Sequence, residues 1–151
     1  MIFLLTIGII ILDQISKLAA IKYLKNKGSY IIIENFFEFS YVENRGAAFG
    51  ILQQKRMFFI IITITVIVLL SFYLLKYYHE LNKYSTIAFA ILIGGAIGNF
   101  IDRVRLGYVV DFISFKLMNS YNFPVFNIAD IAIVISTFII IILVLTDKIE
   151  A

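Results

Sequence analysis

The sequence contains no cysteine, which excludes disulfides, thiolate metal sites and a cysteine nucleophile. Its one histidine, His79, sits in the polar stretch KYYHELNKY. A Ser-His-Asp triad or a histidine-held zinc would have to be assembled there, and neither is expected. Charge is also scarce, at 15% of residues, and the net charge of +3 is too small and scattered for nucleic acid binding. What fills the space is apolar: 62% of the chain is hydrophobic and the mean hydropathy is +0.97. Soluble domains lie nearer half apolar and about a quarter charged, so the composition is that of an integral membrane protein. The 151 residues leave room for four spans of ~20 residues and modest loops.

The spans are expected at about 2–22, 57–75, 84–104 and 125–146, within a single domain covering 1–151. The run Ile2 to Leu12 is like a signal-peptide core but has no basic region before it and no small-residue cleavage site, so it reads as an uncleaved first span. Asp13 and Lys17 lie four apart on one face of that span, an acid before a base, and can neutralise each other for insertion. Asp13 is also a candidate to line a site. Between about 28 and 55 the period changes: Phe37, Phe39 and Tyr41 alternate with Glu38, Ser40 and Val42, and Tyr30 to Ile33 offers a partner strand. This predicts a small surface sheet, ending in ENRGAAFG at 43–50. There Gly46, Ala47 and Ala48 permit close backbone approach, and Asn44 and Arg45 either line a cleft or belong to an ordinary tight turn.

Gly94, Gly95, Ala96 and Gly98 give the third span small-residue spacing for close helix packing, and Asn99, Asp102 and Arg103 mark its far end. Residues 105–123 read as a loop of mixed signals, in which Val109 to Phe115 alternates weakly and Asp111 falls between two apolar pairs as VVDFI. The only proline, Pro124, is expected to open the fourth helix. That start puts Asp130 about 9 Å below the helix end at ~1.5 Å per residue. An even span count returns both termini to one side, so Asp13, Asn44, Asn99, Asp102, Asp111, Asn127 and Asp130 converge near the opposite face.

Several acids kept among apolar residues must pair, meet water or do work. Two carboxylates close together in a low-dielectric pocket share one proton, so one can activate water while the other protonates a carbonyl. Peptide hydrolysis by such a pair is one reading. A small proton-coupled transporter, a hard-cation site of Asp and Asn oxygens, and a purely structural bundle also keep buried acids.

Over essentially its whole length the chain closely resembles the lipoprotein signal peptidases (signal peptidase II), bacterial membrane aspartic proteases. The resemblance is carried by DQISK, ENRGAAFG, GGAIGNFIDRVRLGYVVDF and FPVFNIAD. It implies an all-α membrane protein of four transmembrane helices with a small extracytoplasmic β-sheet platform. Asp111 and Asp130 would be the catalytic dyad. Asp13, Asn44, Gly46, Asn99, Arg103 and Asn127 would bind substrate or support the dyad, and Lys17 and Asp102 would be structural polar residues. No metal and no cofactor is implied. The substrate would be a diacylglyceryl-modified prolipoprotein, cut on the N-terminal side of its lipidated cysteine, and globomycin-like cyclic peptides would inhibit. The implied enzyme works as a monomer among membrane lipid in the bacterial cytoplasmic membrane, with cytoplasmic termini and its active site near the extracytoplasmic face. Basic residues are distributed against that orientation. Lys22, Lys25, Lys27, Arg45, Lys55, Arg56, Arg103, Arg105 and Lys116 lie on the loop side, against Lys76, Lys83 and Lys148 with the termini, and the positive-inside rule would invert the topology.

Overall fold

The computed structural model describes residues 2–46, 53, 55–117 and 121–150. In chain order they form helix α1 (Ile2–Leu24), strands β1 (Tyr30–Ile33) and β2 (Phe37–Asn44), helices α2 (Arg56–Lys76) and α3 (Lys83–Arg105), strands β3 (Val109–Leu117) and β4 (Tyr121–Asn122), and helix α4 (Ile128–Leu145). All four helices are long and apolar enough to cross a membrane.

The helices are arranged around α3. Its most apolar stretch is 61% buried, whereas those of the other three are only 11–17% buried and turn large apolar side chains outward. Such outward faces suit lipid contact. Glycine sets the closeness of the packing. A Cβ on Gly94 would lie 3.0 Å from Ile9 Cβ of α1, and one on Gly95 would lie 2.7 Å from the Ala129 carbonyl oxygen of α4. Gly95→Ala must therefore push α3 from backbone that cannot yield. It is expected to cost about 1–3 kcal/mol and lower the melting temperature in detergent. Gly8→Ala, where a Cβ meets nothing within 4 Å, should leave the melt unchanged or raise it.

Between the spans, β1 to β4 form one antiparallel sheet in sequence order. The sheet is thus not confined to 28–55, and the loop expected over 105–123 contains its most buried strand. Val109 to Ser114 are all buried. A strand covered on both faces loses the apolar–polar alternation of a half-buried one, so the period that revealed β2 is only weak over Val109 to Phe115 of β3. Phe112, Val110 and Ile113 pack with Ala20 of α1, seating the sheet on the helix ends, and within the sheet Phe37 of β2 stacks on Phe115 of β3 at 4.8 Å.

The fourth helix begins at Ile128, not at Pro124. Phe126 exchanges backbone hydrogen bonds with Ile113, its N–H donating at 3.1 Å and its carbonyl accepting at 2.8 Å, so the chain is still extended there. Asn127 then caps the helix: its side chain accepts from the Asp130 N–H, and Asp130 reciprocates to the Asn127 N–H. Asp130 consequently sits in the first turn of α4, nearer the helix end than the proline suggested.

Candidate active site

Asp111 lies on β3 and Asp130 in the first turn of α4, and a single residue joins them. Asn127 Nδ2 donates to Asp111 Oδ1 (2.6 Å), while the Asn127 backbone N–H donates to Asp130 Oδ2 (3.2 Å). The remaining oxygens are held from either side: Asn44 Nδ2 donates to Asp111 Oδ2 (2.9 Å), and Asn99 Nδ2 donates to Asp130 Oδ1 (2.7 Å). All four carboxylate oxygens thus accept from neutral amides. Among the described residues no cation makes an ion pair with either acid. Asp111 is 1% exposed. Burial, followed by the neighbouring Asp130 charge, pushes its carboxyl from the ordinary 3.8 up to about 7.

Beneath this pair lies a second, ionic layer. Lys17 Nζ bridges Asp13 Oδ2 (2.9 Å) on its own helix and Asp102 Oδ2 (3.0 Å) on α3, and it donates to Asn99 Oδ1 (2.9 Å). The local Asp13–Lys17 pairing expected from spacing is therefore half of a three-membered cluster. Asp13 Oδ1 also accepts from the Ala129 N–H (3.0 Å), and Asp102 Oδ2 from the Val110 N–H (3.1 Å). The cluster thereby fastens α1, α3, β3 and α4 beside the two acids. Gly98 makes room for it, since a Cβ there would lie 2.5 Å from Asp13 Oδ2.

Asp13, Asn44, Asn99, Asp102, Asp111, Asn127 and Asp130 do converge. Gly46 joins them through its N–H, which donates to Asn44 Oδ1 (3.0 Å). Arg103 is less direct. Its guanidinium carbon lies 5.3 Å from the centre of the Phe59 ring, and its carbonyl accepts from Arg56 Nε (2.9 Å). Positions 47–50 of ENRGAAFG, including Ala47 and Ala48, lie outside the described residues. Three contributors escape sequence reasoning. Gln14 Nε2 donates to Asp102 Oδ1 (3.0 Å), to the Gly98 carbonyl (3.2 Å) and to Asp13 Oδ2 (3.2 Å). It stands inside DQISK, where a polar amide in an apolar helix was its only signal. Arg56 and Phe59, which flank Arg103, carried none, because an arginine at a helix start and a phenylalanine in a span are ordinary.

The assembly has close counterparts. The profile of the Signal peptidase (SPase) II family matches residues 5–146. The chain is 46% identical over 147 residues to a lipoprotein signal peptidase of Clostridium tetani, covering 97% of this chain and 92% of that one. It is 48% identical over 133 residues to one of Caldanaerobacter subterraneus subsp. tengcongensis, covering 87% of each. A bacterial membrane enzyme solved by the in meso method at 1.9 Å resolution superposes with a TM-score of 0.83 at 39% identity, over 97% of this chain and 93% of that chain. With four membrane-spanning helices and a family profile that takes in nearly its full length, the chain belongs to the signal peptidase II family of membrane peptidases.

Proposed function

We propose that this protein is an aspartic endopeptidase that removes the signal peptide from diacylglyceryl-modified prolipoproteins, cutting on the N-terminal side of the lipidated cysteine. One observation carries the reading: Asn127 links two acids whose four oxygens all accept from neutral amides, with no ion pair to either among the described residues. Amide donors hold a carboxylate in place without neutralising it, so the pair remains able to share one proton. The ionised member deprotonates a water, which attacks the scissile carbonyl carbon. The protonated member donates to the carbonyl oxygen and, as the tetrahedral species collapses, a proton reaches the departing amine. Asn44, Asn99 and Asn127 orient the acids, with Asp13, Asp102 and Lys17 as the rigid base beneath them. Gly46 fixes Asn44, and Arg103 offers donors to substrate backbone carbonyls.

The cation-site reading is left with Asp111 and Asp130, because Asp13 and Asp102 are both committed to Lys17, and among the described residues no three acidic or histidine side chains gather around one point. A transporter acid is expected near the membrane midplane, whereas Asp130 is in the first turn of its helix. The site is proposed to lie at the extracytoplasmic face of the cytoplasmic membrane, with both termini in the cytoplasm. Of the bases that oppose this orientation, Lys25, Arg45, Lys116, Arg56 and Arg103 have protein partners. Globomycin-like peptides are proposed to compete for the same cleft, with the enzyme acting as a monomer.

The purified protein, given prolipoprotein with and without its diacylglyceryl group, should release signal peptide only from the lipidated form, and EDTA should not slow it. Mass spectrometry of the product reads the cut position. Equal cleavage of both forms, or none of either, would overturn the proposal. The pH dependence has a definite sign. Above about 7 Asp111 loses its proton and can no longer serve as the donor, so the rate should fall as pH rises through about 7. The same shift affects folding. A carboxyl raised above its unfolded value of 3.8 makes the native state progressively less stable as pH climbs from there to about 7. That part of the melting-temperature slope should be absent in Asp111→Asn.

A further inference from the structure

Away from the acids, a cluster of charged and aromatic side chains gathers where β2 ends. Glu43 Oε1 accepts from Lys25 Nζ (3.1 Å) and from the Tyr41 hydroxyl (3.2 Å), and its Oε2 accepts from Arg45 Nη2 (2.8 Å). The Arg45 guanidinium carbon stands 5.3 Å from the centre of the Tyr108 ring, and the Tyr41 and Tyr108 hydroxyls are 3.1 Å apart. One carboxylate therefore draws together the segment after α1, the end of β2 and the turn between α3 and β3. The chemistry proposed above makes no use of it.

Its place in the strand suggests what it does. Successive side chains on a strand point to opposite faces. Glu43 is tied outward to Lys25 and Arg45, while Asn44 between them turns inward to Asp111. The β2–β3 register shifts between Phe39 and Val42, and beyond the shift only Val42, Glu43 and Asn44 pair with β3. Asn44 is the last of these pairs, where a ladder frays first. We propose that Glu43 is a positioning residue for the peptidase reaction, holding the end of β2 so that Asn44 stays seated on Asp111. The proposal rests on the catalytic reading of Asp111.

Salt, not pH, is the lever on such a clamp. The Arg45 hydrogen bond, more than any other contact, holds the Glu43 carboxyl down to about 2, so it stays ionised throughout the neutral range. The Lys25 and Arg45 side chains are 37% and 55% exposed, within reach of screening ions.

A double-mutant cycle tests the idea. Glu43→Gln should lower kcat about fivefold with KM unchanged, but less than about twofold when Asn44→Ala is already present, because the second change has nothing left to misplace. Raising salt from about 0.05 M to about 1 M should bring wild-type kcat toward that of Glu43→Gln and leave the variant flat. A full loss in the Asn44→Ala background, or equal salt responses, would show Glu43 to be only a structural contact. If Glu43→Gln does not fold, Lys25→Gln leaves β2 intact and should show the same non-additivity. Failure of the catalytic reading is separately visible, because Asp111→Asn would then retain activity whatever the cycle gives.

Discussion

Asp111→Asn and Asp130→Asn should each slow signal-peptide release by about 10²–10⁴-fold, the range for loss of a positioned acid or base. Asparagine keeps the shape of the side chain and one acceptor oxygen, but it can neither take a proton from water nor give one to a carbonyl. The loss should appear in kcat, because the pair acts on the transition state more than on bound substrate. The double variant should be no slower than the worse single, since in the proposed mechanism the two acids act as one unit and neither has a function without the other. Each substitution keeps an acceptor for one of the acid's two amide donors and turns an NH2 toward the other, so a small fall in melting temperature is expected, and a cooperative melt near that of wild type assigns the loss to chemistry. Near wild-type turnover in either variant removes that residue from the dyad.

Lys17→Met should have the largest effect on stability. The ammonium is 2% exposed and lies between Asp13 and Asp102, which are 0% and 3% exposed. Removing it leaves two buried carboxylates facing each other with no cation, a change that typically costs about 3–5 kcal/mol. For a chain of this length that corresponds to a melting temperature lower by about 10 °C. Adding Asp102→Asn should recover part of the loss, because one uncompensated charge is removed while an oxygen remains for the Val110 N–H. If Lys17→Met melts with wild type, the cluster does not hold the four elements together.

The polar residues of the site were legible because they stand out. Within a span an Asp, Asn or Lys must offset its desolvation, and Asp13, Lys17, Asn99 and Asp102 stood out on that ground. The partners of each were not legible, because partnership is a long-range property. Spacing suggested Lys17 for Asp13, but it could not reveal that Asp102, on another helix, takes the other side of the same ammonium. Gln14 was overlooked although it donates into both acids of that cluster. Asn127 was recognisable as a candidate site residue, but its double role as helix cap and bridge to Asp111 depends on where the fourth helix starts. Pro124 misled on that point, since its fixed φ suits an extended segment as well as a first helical turn.

By itself the sequence determined the membrane class, the number of spans and the end of the bundle where the polar residues gather. These follow from the cost of placing each residue in hydrocarbon, which acts locally and can be summed along the chain. Only the tertiary structure decided that β3 is a strand, that α3 is the axis of the helices, and that four amide donors frame two acids drawn from different elements. Each of these depends on what covers a residue or reaches it from elsewhere in the chain. A buried strand loses its period because it is covered on both faces, and a carboxylate acquires its donors only when β2, α3 and the start of α4 are brought together.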